Sequence, residues 1–234
     1  MSSPRELLRP DTGTYLVDDF ISNDVVTDNG VGQLGWQIAT IGNAATLAYQ
    51  TATTNGVLRI TTAATADGDG EAVHLFPDGL VIKPGVEFGA RVRHPVELAS
   101  LNFRIGLDDS VTATRPTVGV TFESDAGVLS CHTDSGDHGD NSVSVAGHPD
   151  LTSGTTLVVA EWVDLEARCS GRANAQGGPD EVDFFINGVH VAKVPCAIDD
   201  DEEVEPKIVV WQDSGGADAV AWEIDYYWLW IPRV

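Results

Sequence analysis

Two carboxylates on one strand are the least that a glycoside-cleaving site requires, and this chain offers such a pair twice. Glu223-Ile224-Asp225 lies inside AWEIDYYWLWIPRV, from Ala221 to Val234, and side chains two apart on a strand project to the same face. In a retaining glycosidase the nucleophile and the acid lie about 5–5.5 Å apart. The second pair, Asp164 and Glu166 in EWVDLEAR, also shares a face, whereas Glu161 and Asp164, three apart, face opposite ways. Arg168 joins that face, and Arg91, Arg93 and Arg104 occupy comparable ones. Pairing with arginine lowers a carboxyl pKa, the wrong direction for a general acid. Asp164 and Glu166 therefore read as salt-bridged strand surface, Glu223 and Asp225 as part of the closing strand, and no catalytic residue is expected.

A third group, CHTDSGDHGDN, concentrates His132, Asp134, Asp137, His138 and Asp140, which are zinc or calcium ligand types. No EF-hand or H-E-x-x-H spacing orders them, and Ser and Gly fill the gaps. A solvated hairpin loop is the expectation, with a metal site as the weaker alternative. DGDGE, Asp67–Glu71, reads as a turn. A G-x-S-x-G elbow, a phosphate-binding loop and a dinucleotide fingerprint are all missing from the sequence, so no cofactor is expected. Cys131, Cys169 and Cys196 have no C-x-x-C spacing and read as buried thiols.

Alternation of period two runs along nearly the whole chain and positions these groups. VEFGARVRH opposes Val86, Phe88, Ala90 and Val92 to Glu87, Arg91 and Arg93; LNFRIGL opposes Phe103, Ile105 and Leu107 to Asn102 and Arg104. VDLEARC sets Val163, Leu165, Ala167 and Cys169 against Asp164, Glu166 and Arg168. Asn187-Gly188, inside EVDFFINGVHVAKV, predicts a hairpin with a type I′ turn. In all, about a dozen short strands and no helix are expected. Two antiparallel sheets packed face to face bury every apolar side. The expected organisation is an N-terminal arm over residues 1–13, carrying Leu7 and Leu8, then one β-sandwich over 14–234. IDDDEEVEP reads as a solvated loop.

Thirteen Lys and Arg against 36 Asp and Glu give a net charge of −23. Phosphate backbones and anionic membranes repel such a surface, so neither nucleic acid nor membrane is an expected partner. Only three of the basic residues are lysines, Lys83, Lys193 and Lys207. That composition suits solubility at high salt, but the codon bias of a GC-rich genome is the preferred reading. MSSPRELLRPDTG has no apolar segment of the kind a secretory signal carries. No run of about 18 apolar residues is long enough to span a bilayer. The expectation is synthesis in a cytoplasm without processing.

The order of features, VDDF, GWQI, NGVLRITT, KPG before VEFGARVR, the VDFFINGVHVAKV hairpin and a closing IDYYWLW, resembles the concanavalin A-like jelly-roll superfamily of lectins, glucanases and laminin-G-like domains. Glucanases of that superfamily carry E-x-D-x-E or E-x-D-x-x-E on one strand. Here Tyr227 or Trp228 stands at the third position, and in the resemblance this segment matches the terminal strand. A lectin-like frame without that motif, preceded by a short polar arm, resembles virion proteins of tailed phages or archaeal viruses. The resemblance implies a non-enzymatic virion protein decorating a capsid or tail, made in the host cytoplasm, a homo-oligomer (trimeric) on a major capsid or tail protein. Leu7, Leu8, Trp228 and Trp230 are its expected contact residues. The alternatives are a glycan-binding lectin and a glucanase using Asp164 or Glu166.

Overall fold

The computed structural model describes residues 13–20, 29–43, 45–49, 56–62, 69–75, 79–94, 101–125, 128–145, 151–152, 156–157, 160–212 and 221–233. The expected arm, with Leu7 and Leu8, lies outside them, as do Asp67 and Gly68 of DGDGE, whose Gly70 and Glu71 open a strand instead of completing a turn. Among the described residues there are nineteen strands and no helix. In chain order they are β1 Gly13–Asp18, β2 Asn29–Val31, β3 Trp36–Ile41, β4 Thr46–Tyr49, β5 Leu58–Thr61, β6 Gly70–His74 and β7 Leu80–Val81. Then come β8 Glu87–Arg93, β9 Leu101–Asp108, β10 Gly119–Asp125, β11 Val128–Asp134, β12 Asn141–Ser144, β13 Leu151–Thr152 and β14 Thr156–Leu157. The last five are β15 Val163–Ala173, β16 Pro179–Ile186, β17 Val189–Pro195, β18 Glu203–Gln212 and β19 Ala221–Pro232.

These strands make the two-sheet sandwich that the alternation predicts, a jelly roll as the resemblance implies. One sheet runs β17-β16-β15-β8-β19-β5-β4, with β1 also on β19; the other runs β12-β11-β10-β9-β18-β6-β3-β2, with β7 also on β18. The inner faces form one core, in which Phe122 of β10 meets Phe184 of β16 edge to face at 5.0 Å. Tyr227 of β19 reaches across that core, its hydroxyl donating to the Gly106 carbonyl of β9 at 3.0 Å. An unpaired hydroxyl buried at that depth would be costly, so this bond fixes the two sheets in register. The predicted hairpin is present: Asn187 and Gly188 have φ of 49° and 76° between β16 and β17, as a type I′ turn demands.

Two expectations change. IDDDEEVEP is not all solvated loop, because β18 begins at Glu203 and its Glu205 is buried. Nor is the polar side of every strand wet. On β9, Asn102, Arg104 and Asp108 are as buried as Phe103 and Ile105.

Candidate functional site

The reason lies on the outer face of the nine-stranded sheet. Val209 and Trp211 of β18 and Ala72 of β6 form a second apolar cluster there, on which Val111 and Ala113 pack from the loop between β9 and β10. Arg104 secures that loop. Its Nη1 donates to the Thr114 carbonyl at 3.1 Å, and its Nη2 to the carbonyls of Ser110 and Thr112 at 3.1 and 3.0 Å. Nε donates to Asp108 Oδ2 at 2.8 Å. Lys207 lies 3.0 Å from Asp108 Oδ1 and 2.8 Å from Glu205 Oε1, and Glu205 Oε2 meets His74 Nδ1 at 2.9 Å. Burial alone would push Glu205 up, yet hydrogen bonds from His74 and Lys207 hold it below the usual carboxylate range. This half of the face is saturated, and removing one member would strand a buried charge at a cost of about 3–5 kcal/mol.

The other half, on β10 and β11, is not saturated. Register sets Thr121 opposite His132, Glu123 opposite Ser130 and Gly119 opposite Asp134. On the other side of β10, Thr121 faces Gly106 and Glu123 faces Arg104. Gly106 and Gly119 are close-packed positions, where a Cβ would meet the Val120 carbonyl and the Thr121 backbone at the first and Asp108 at the second. Thr121 Oγ1, Glu123 Oε2, His132 Nδ1 and Asp134 Oδ2 are buried and have no hydrogen-bond partner among the described residues. An unsatisfied buried polar atom costs about 1–3 kcal/mol, and four on two adjacent strands call for an explanation.

Protonation sharpens the picture. Burial pushes Asp134 up to about 6, although Arg115, from the loop, donates its Nε to Asp134 Oδ1 at 2.7 Å. Burial likewise raises Glu123 against the pull of Arg104 and Arg115. His132 is driven down to about 4, first by burial and then by Arg115 and Arg104, so its ring is neutral. Ser130 Oγ donates to the Glu123 carbonyl at 3.3 Å and lies 2.6 Å from His132 Nε2. The single Ser130 proton goes to one of these two partners, and that choice sets which ring nitrogen of His132 carries its proton. The site offers two carboxyls with raised pKa, a neutral imidazole and a hydroxyl on two adjacent strands of one face.

The residues singled out from sequence divide between the two sheets. His132 and Asp134 belong to this face; Asp137, His138 and Asp140 are exposed in the following loop, where His138 pairs with Asp199 at 3.2 Å. Among the described residues no three His, Cys, Asp or Glu side chains are placed to hold a metal ion. Asp164, Glu166, Glu223 and Asp225 lie on the outer face of the other sheet, salt-bridged as expected for the first two and so for the second two as well. Arg91 approaches Asp164 and Asp225 at 3.9 and 3.7 Å, Arg168 binds Glu166, and Arg93 binds Glu223. Trp228 and Trp230 are half-buried on that same face, with Tyr15 against Trp228 at 6.1 Å. Sequence reasoning missed Thr121, Glu123 and Arg115. The usable signal was VTFES, whose alternate polar residues had to share a face with those of CHTD.

No protein-family model matches the chain, and no curated protein matches it in sequence. Solved structures do match in fold. A β-glucanase of Bacillus licheniformis superposes with a TM-score of 0.59 at 11% identity, over 94% of this chain and 99% of that one. An endo-β-1,4-glucuronan lyase from the fungus Trichoderma reesei gives 0.57 at 12% identity, over 92% and 94%. The carbohydrate recognition domain of Emp47p gives 0.55 at 9% identity, over 95% and 98%. These are lectin- and glucanase-type sandwiches, and the fold is theirs. The expectation of a non-enzymatic chain is corrected by them: a hydrolase and a lyase share this architecture over nearly its whole length. That expectation rested on carboxylate pairs of the eight-stranded sheet, where burial raises Asp225 against the pull of Arg91; Glu123 and Asp134 are raised on the nine-stranded one.

Proposed function

We propose that this protein is a carbohydrate-active sandwich that holds an oligosaccharide across β9, β10 and β11 on the outer face of the nine-stranded sheet. The observation that carries the reading is the set of four unpartnered polar atoms on Thr121, Glu123, His132 and Asp134. Glu123 Oε2 and Asp134 Oδ2 are acceptors when ionised, and the hydroxyls of a sugar are donors. Asp134, titrating near 6, keeps its proton to a higher pH than an ordinary aspartic acid, the direction a general acid needs. Glu123 is the second carboxyl of the site. The fold shared with a glucanase, a lyase and a carbohydrate recognition domain supports the same reading.

The experiment is a panel of soluble glycans, scored for binding by calorimetry and for new products by chromatography. Wild-type chain is expected to bind at least one glycan, and Asp134→Asn is expected to abolish any cleavage while the chain still melts cooperatively. A panel that yields neither binding nor product overturns the reading.

A further inference from the structure

Trp228 and Trp230 project from β19 onto the outer face of the eight-stranded sheet, and a glycine lies under each ring. Register sets Trp228 opposite Gly89 of β8, and a Cβ at Gly89 would fall 2.6 Å from Trp228 Nε1. At Gly13 of β1 a Cβ would run into the six-membered ring of Trp230. Rings standing off the sheet would leave those spaces empty, so both indoles lie along it, one face on backbone and the other turned outward. Both are partly exposed, and Tyr15 and Val17 of β1, 44% and 42% exposed, border them. We infer that the two indoles are stacking platforms for a neutral, extended glycan of the β-1,4-glucan kind, on a surface separate from the β10–β11 site and independent of it.

Shape, area and charge select that occupant. The rings are two residues apart along β19, about 7 Å, and lie over strands on opposite sides of it, about 10 Å across. A ligand that covers both is therefore an oligomer. A pyranose with equatorial substituents and linkages has flat faces of C–H bonds, which match the face of an indole while its hydroxyls, at the ring edge, stay in water. An α-1,4-linked chain curls and would stack on one platform only. The exposed parts of Trp228, Trp230, Tyr15 and Val17 amount to about 300 Å², whereas a stable protein interface takes about 800 Å² from each partner. Carboxylates outnumber bases beside the rings: Arg168 binds Glu166, and Glu87 and Asp183 also act on it. Glu87 lies opposite Trp230, and Glu166 opposite Gly89. A uronate polymer, or a second copy of a chain at −23, is repelled there. A neutral sugar is not, and the carboxylates can accept from its hydroxyl rim.

Titration calorimetry of the full chain compares hexamers of β-1,4-linked glucose, α-1,4-linked glucose and β-1,4-linked glucuronate, with pentalysine as competitor. The β-1,4-glucose hexamer is expected to bind tightest. Trp228→Ala and Trp230→Ala are each expected to weaken it about tenfold, while Trp230→Tyr, which keeps a flat ring, retains most of the affinity and Asp134→Asn, on the other sheet, retains this contribution whole. Melting curves establish that each variant is folded. Binding by wild type that both alanine variants keep in full overturns the platforms and leaves the β10–β11 reading standing. Loss in the tryptophan variants alone, with none in Asp134→Asn, upholds the platforms even if the β10–β11 reading fails. Equal binding of the α-linked or glucuronate hexamer, or displacement by pentalysine, overturns the ligand class. A wild-type dimer in light scattering that Trp230→Ala makes monomeric also overturns the proposal, since the face would then join two copies. Binding of no saccharide overturns both sites.

Discussion

Asp134 and His132 are two residues apart on one strand face, both buried, and burial moves them in opposite directions. Asp134 rises from 3.8 to about 6, and His132 falls from 6.5 to about 4. As pH falls through 6, the folded chain protonates Asp134 before the unfolded chain does, so folding gains about 3 kcal/mol by the ordinary aspartate range. As pH falls through 6.5, the unfolded chain protonates histidine first, and folding loses about 3 kcal/mol by pH 4. Between 6.5 and 4 the two nearly cancel. Removing either one exposes the other. Asp134→Asn is expected to lose about 3 kcal/mol more than wild type on acidification across that window, and His132→Gln to lose about 3 kcal/mol less. Urea-unfolding midpoints at several pH values measure this; parallel curves for all three chains would refute the burial assigned to the pair. Other titrating groups are common to the three and drop out of the differences.

Hairpins and faces show what can be read from sequence at the level of elements. The β16–β17 turn is legible because its requirement is local: two residues must adopt positive φ, and Asn-Gly tolerates that. Asn187 also reaches outward, its Oδ1 accepting from Asp164 N at 2.8 Å while its own N–H donates to the Asp164 carbonyl at 2.8 Å. The turn thus ties β15 to the hairpin as well as closing it. Gly188→Ala is expected to cost about 1–2 kcal/mol from backbone strain alone, and Asn187→Ala about as much again from the lost side-chain bond. Thermal unfolding of the two variants and their double mutant checks both; costs within error of zero would mean that the turn is not formed as described. The site is legible only in part, for the opposite reason. Alternation marks Asn102, Arg104, Thr121 and Glu123 as sharing non-core faces, but it cannot tell a wet face from one covered by a loop. That depends on Val111 and Ala113 landing on Trp211 and on three loop carbonyls reaching Arg104. The charge run before β18 misled for the same reason: Glu205 is buried because Lys207 and His74 wait beside it, a relation no spacing rule contains.

For the molecule as a whole, the 36 acids cannot all find a base. If each of the 13 Lys and Arg neutralises one of them, 23 remain. Pairs on the open sheet, such as Arg91 with Asp164 and Asp225, are partly exposed and worth about 0–1 kcal/mol each. Salt weakens those contacts. It also screens repulsion among the surplus carboxylates, over a Debye length that shrinks from about 10 Å at 0.1 M to about 3 Å at 1 M. The two effects have opposite sign, and the surplus is the larger because it acts between many groups while the exposed pairs are few and weak. The buried network of Arg104, Asp108, Lys207 and Glu205 lies out of reach of ions and is indifferent. The melting temperature is therefore expected to rise steadily as sodium chloride is increased from about 0.05 to about 1 M. Chloride salts are the right choice, since sulfate would strengthen apolar burial on its own and obscure the electrostatic part. A melting temperature that falls with salt would show that surface pairing, not self-repulsion, governs this sandwich.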